Sequence, residues 1–68
     1  MVEWTVKKVK DELPNVSILL KDGRVETGWV GGKAEAFGVV FIPSMAVGIE
    51  FSWSTIAKAL NDGTYLQV

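Results

Sequence analysis

The chain has 68 residues, seven basic and eight acidic side chains for a net charge of −1, and 49% hydrophobic residues including three tryptophans and three phenylalanines, with no histidine and no cysteine. These counts exclude imidazole acid–base chemistry, thiolate nucleophiles, disulfides and soft metal ligands, and they give no overall attraction to nucleic acid or an anionic membrane. One domain over residues 1–68 is expected, and because a domain this small hides only about 60% of its unfolded surface, association with further copies is the remaining common route to stability.

Residues 2–9 read as a strand from the alternation of Val2, Trp4 and Val6, while Val2, Val6, Val9 and Leu13 recur at helical spacing and offer a short helix instead. Pro14 ends either element, since it disfavours helical geometry at the residue before it. Two β-prone runs follow, Val16–Lys21 and Arg24–Val30, joined by Asp22-Gly23. That dipeptide predicts a hairpin with a type I′ turn, which needs positive φ at both central residues. Val16, Ile18 and Leu20 share one face of the first strand, and Val25, Thr27 and Trp29 alternate along the second.

Residues 31–38 are bracketed by glycines and carry small or polar side chains, so they are expected to form a mobile connector. A third strand is expected from Val39 to Ile42 and a fourth over about Val47 to Phe51, with Gly48 weakening its middle or marking a bulge. Ser52–Gly63 carries the strongest helix signal: Ser52 or Ser54 as cap, Ile56 and Leu60 four apart, and Gly63 for the left-handed closing position. Two turns fit. Tyr65–Val68 alternates and returns to the sheet as a last strand.

Short strands of this number leave open edges unless the sheet curls, so a closed or partly closed barrel is expected. Both alternating sets are apolar: Leu19 and Val30 oppose the inward set, as do Val40 and Ile42 if Val39 and Phe41 face in. The helix and the amino-terminal segment cover the surplus in one reading. In the other it is an interface between copies, and a homo-oligomer results.

Leu20-Lys21-Asp22-Gly23-Arg24-Val25-Glu26-Thr27-Gly28 resembles the second-to-third strand hairpin of the Sm-like proteins, which implies an amino-terminal helix and a bent five-stranded SH3-like barrel. Sm-like proteins bind RNA through an Asp and Asn loop and a basic Arg-Gly element. The corresponding stretches here, Ala36-Phe37-Gly38 and Gly48-Ile49-Glu50, carry neither, and no binding residue is transferred. The run Gly48 to Asn61 is similar to the strand-then-helix ending of several SH3-like barrels and of small bacterial proteins, some carried on mobile gene cassettes. The fold expected is therefore mainly β: a small SH3-like barrel of about five strands with a short helix before the last.

Catalytic chemistry finds little support. Asp11 with Glu12, or Asp22 with Glu26, would have to be buried together to share a proton, and turn positions explain them better. Ser44, Ser52 and Ser54 lack a histidine, and a Ser–Lys pair with Lys58 would require a desolvated lysine. Gly31-Gly32-Lys33 lacks the spacing of a phosphate loop. No enzyme activity, metal or cofactor is expected. Trp53, Trp29 and Phe37 are the expected contacts for a protein or peptide partner, with Trp53 projecting outwards from the helix start. Lys7, Lys8 and Lys10, joined by Arg24 and Lys33, offer a nucleic-acid-binding rim as the alternative. A further alternative is an oligomer that encloses a small-molecule pocket between subunits. No stretch approaches the roughly 20 apolar residues of a membrane span, and Met1-Val2-Glu3-Trp4 does not begin a signal peptide, so a cytosolic protein without a membrane partner is expected.

Overall fold

The computed structural model describes residues 3–68; residues 1 and 2 and the side chain of Lys33 lie outside the description, and with them the parts played by Val2 and Lys33 in the expectations above. The order is α1 (Val6–Glu12), β1 (Asn15–Leu19), β2 (Val25–Lys33), β3 (Phe37–Ile42), a 3-10 turn (Pro43–Met45), β4 (Val47–Ser52), α2 (Trp53–Asp62) and β5 (Leu66–Gln67). The strands form one sheet in the order β4-β3-β2-β1-β5, antiparallel except where β5 joins β1 in parallel. The sheet curls into a half-barrel, mainly β, with a short helix before the last strand, as the sequence suggested.

The strand reading of residues 2–9 is overturned. Thr5 caps α1, its hydroxyl accepting from the Lys8 amide at 3.1 Å. The amide and carbonyl of Trp4 are both taken by the Asn61 side chain, at 2.6 and 2.8 Å, so the segment before α1 is bracketed against α2 rather than laddered into the sheet. Ion pairs Lys7–Asp11 and Lys8–Glu12 run along the exposed side of α1 while Val9 is fully buried. Leu13, in left-handed geometry at φ 49°, ends the helix just before Pro14.

The hairpin forms, with a different turn. The Gly23 amide donates to the Leu20 carbonyl at 3.0 Å and the Leu20 amide to the Arg24 carbonyl at 2.8 Å. Only Gly23 has positive φ there, +89°. This is a three-residue loop closed by a glycine bulge, not type I′. Asp22 accepts from the Arg24 amide at 3.0 Å and pairs with its guanidinium at 2.6 Å, side-chain contacts that brace the turn without positive φ at Asp22.

The expected connector over residues 31–38 is largely strand. β2 continues to Lys33, and the register shift between Gly31 and Lys33 opposite β3 accommodates Gly32, at φ +82°, as the extra residue. Only residues 34–36 connect β2 to β3.

Helix α2 confirms both caps: the Ser52 hydroxyl accepts from the Thr55 amide at 3.2 Å, and Gly63 closes it at φ +67°. Its ten residues make nearly three turns rather than two. Both helices pack on one face of the sheet. Val9, Ile56, Ala57, Ala59 and Trp53 meet Val16, Ile18, Leu20, Val30, Val40, Ile42 and Leu66 there. Pairing Val30↔Val40↔Ile49 puts these residues on a common inner face. The inward set on β2 and β3 is thus Val30, Val40 and Ile42; Trp29, Val39 and Phe41 point away.

Glu26 reaches from β2 to the 3-10 turn, where its carboxylate accepts from the Ser44 amide at 3.1 Å. Hydrogen bonding from Ser44, its hydroxyl first and its amide second, holds the Glu26 carboxyl below its ordinary range. A depressed folded-state value adds stability that is present at neutral pH and lost as pH falls through that value. Thermal melts from pH 7 to 3 are therefore expected to show a smaller acid-induced drop in Glu26→Gln than in the native protein; equal drops would show that these bonds contribute nothing.

Candidate functional site

Because both helices lie on the inner face, the opposite face is left open. Along it, Asn15↔Trp29↔Phe41↔Gly48 form one cross-strand row, and Gly31↔Val39↔Glu50 the next. Trp29 is 46% exposed and Phe41 36%, and their rings stack with centroids 5.7 Å apart and planes at 24°. Glycines flank the stack. A Cβ at Gly31 would fall 2.8 Å from the Phe41 ring, and one at Gly48 2.6 Å from Val39 Cγ1. The Phe41 ring occupies the space that side chains would take, which gives a broad, shallow aromatic surface. Val25, half exposed, extends it toward the hairpin turn. Glu50 is the only charged residue in these two rows.

Of the expected contact residues, Trp29 lies at the centre of this face. Phe37 shares the face, half-buried at the far end of β3 opposite Ser52, and the residue stacked on Trp29 is Phe41. Trp53 does not project outwards. It is only 4% exposed, its ring lies against Gly38, and its indole nitrogen donates to the Ala34 carbonyl at 3.0 Å. The missing side chain at Gly38 opens a slot on the inner face, and the first turn of α2 turns Trp53 into it. Trp53 is a core residue.

The lysines of α1 do not form a free basic rim. Lys7 pairs with Asp11 at 2.7 Å and Lys8 with Glu12; Lys8 also lies over the Trp4 ring, 5.1 Å from its centroid. Lys10 lies 5.6 Å from the Trp53 centroid and 3.5 Å from the Glu35 carbonyl oxygen. Three lysines against two carboxylates leave α1 a residual charge of only +1. Arg24 is held by Asp22.

The carboxylates considered for acid–base work are separately engaged. Asp22 is held below its ordinary range by hydrogen bonds from the Arg24 amide and guanidinium, and Glu26 by those from the Ser44 hydroxyl and amide. A pair sharing a proton would show one raised value. Ser52 serves as a cap. Among the described residues no group of three His, Cys, Asp or Glu side chains is arranged to hold a metal ion, and no helix is long and apolar enough to cross a membrane. Two shallow surface grooves, of about 310 Å³ between α2 and β5 and about 290 Å³ beside Leu20, Met45 and Val68, lie away from the aromatic stack.

Phe41 was missed because it lies in Val39–Ile42, an uninterrupted apolar run whose two faces look alike locally. The two glycines that receive its ring, Gly31 and Gly48, come from separate strands and give no nearby signal. Comparison of the chain with protein-family models, with curated proteins and with solved structures gives no significant match.

Proposed function

We propose that the protein is a non-enzymatic binding module that self-associates and holds protein or peptide surfaces by apolar contact through the outer face of its sheet. The observation that carries this reading is the exposed Trp29–Phe41 stack on a face that neither helix covers. Aromatic residues are enriched, and charged residues depleted, at the centres of protein interfaces. The molecule is a slab with Cα extents of 31 × 26 × 15 Å, so its two faces are much broader than its edges. A second copy is a natural occupant, since it brings an equally apolar face and sheets pack face to face at about 10 Å.

The test is the pair of substitutions Trp29→Ser and Phe41→Ser, made together. The expected result is a reduced assembly mass by sedimentation equilibrium with a cooperative thermal transition retained, because both rings are partly in water already. An unchanged mass would sink the reading.

A further inference from the structure

The two edges of the sheet are treated very differently by the sequence. At one edge β5 has only two residues, which is itself a protection against unwanted pairing. At the other, β4 has six, Val47-Gly48-Ile49-Glu50-Phe51-Ser52, and pairs with β3 without a register shift. It contains no proline and no lysine, and its single charge, Glu50, points to the outer face rather than inwards. Val47 is 42% exposed, and Gly48, Glu50 and Ser52 are exposed. Among the described residues β4 pairs with β3 alone, so alternate residues present their backbone N–H and C=O groups away from the sheet. Proline, lysine, a bulge and an inward-pointing charge, which commonly blunt an exposed edge, are all missing from β4.

We propose that β4 pairs antiparallel with β4 of a second copy about a two-fold axis, joining two five-stranded sheets into one. The sequence of the strand selects the register. Opposed residues must share a face, so the two numbers in each pair add to an even total. Two registers give the longest overlap. One opposes Glu50 to Glu50 of the second copy, setting like charges directly against each other, which is destabilising. The other opposes Ile49 to Ile49, Val47 to Phe51 and Glu50 to Gly48. It puts apolar side chains together on the inner face and leaves each carboxylate beside a residue with no side chain. The second register is the one the strand fits. A second copy is also the occupant whose partner strand is known to satisfy these pairings, because it is the same strand.

This interface is distinct from the outer face: it uses backbone groups of β4, whereas outer-face contact uses the side chains of Trp29 and Phe41. The chain has no cysteine, so one introduced thiol reports on one position. Opposed residues of an antiparallel pair have Cα atoms about 4.5–5.5 Å apart, within the span of about 4.4–6.8 Å that a disulfide bridges. Ile49→Cys is expected to form a covalent dimer in nearly all molecules under mild oxidation. Glu50→Cys is expected to form little or none, because residues 50 of the two copies are then diagonal neighbours about 7–8 Å apart. Cross-linking at 50 in preference to 49, or at neither, overturns the proposal. Should Ile49→Cys fail to fold, hydrogen exchange of the native protein decides. Alternate β4 amides are expected to be protected at high protein concentration and to lose at least tenfold of that protection on dilution, and fast exchange at every concentration overturns the pairing. If the cross-link forms while the Trp29→Ser/Phe41→Ser pair leaves the assembly mass unchanged, the edge stands and the outer-face reading falls; oligomers without either β4 signature give the reverse.

Discussion

Replacing Trp53 by alanine is expected to remove half or more of the protein's stability at room temperature. The ring is 4% exposed, fills the slot over Gly38, and donates its indole N–H to the Ala34 carbonyl at 3.0 Å. Truncating a buried tryptophan costs about 3–5 kcal/mol, and the carbonyl left behind loses a bond that contributes about 1 kcal/mol. A chain of 68 residues has a total stability of only about 3–10 kcal/mol. Chemical denaturation followed by circular dichroism checks this. A Trp53→Ala protein with an unchanged midpoint would mean that the ring is not part of the core.

The second large effect is expected at Gly28, in the middle of β2. Its position faces inwards opposite Val16, and the curl of the sheet brings β3 so close that an added Cβ would fall on the Phe41 carbonyl oxygen and on Ile18 Cδ1. The carbonyl is backbone of the neighbouring strand and cannot move without opening the sheet, and Ile18 Cδ1 could yield only by repacking a fully buried side chain. Gly28→Ala is expected to destabilise by about 3 kcal/mol or more, at the upper end for overpacking. Gly23→Ala makes the control. A Cβ there meets nothing within 4 Å, so only the left-handed backbone at φ +89° resists it, at a cost of about 1 kcal/mol. Equal denaturation midpoints for the two variants would contradict the close approach of β2 and β3.

What the sequence disclosed divides by range of interaction. The inward set Val16, Ile18 and Leu20 was legible because these residues alternate with Ser17 and the half-buried Leu19 along β1 and into the position after it. The caps of α2 were legible because Ser52 and Gly63 act on backbone groups within a few residues. The amino terminus was misread because Val2, Trp4 and Val6 suit a strand locally, whereas the bracket that removes Trp4 from the sheet comes from Asn61, 57 residues away. The glycines of residues 31–38 read as a connector, although Gly32 is a bulge within paired strands. Trp53 looked exposed because the slot that receives it is created by the absence of a side chain at Gly38. The facing of Val39 and Phe41 depended likewise on Gly31 and Gly48. For the amino terminus, Trp53 and Phe41 a distant partner decided the outcome, and for the last two that partner was a glycine.

The assignments have a common consequence for the candidate site. With Trp53 in the core and both helices on the inner face, the apolar surplus that the composition announced is concentrated around Trp29 and Phe41 and along β4. Sedimentation equilibrium of the native protein over a range of micromolar concentrations tests most directly whether that surplus is used for association. An assembly whose mass is a small whole multiple of the 7.4 kDa chain is expected, whereas a single-chain mass at every concentration would contradict association.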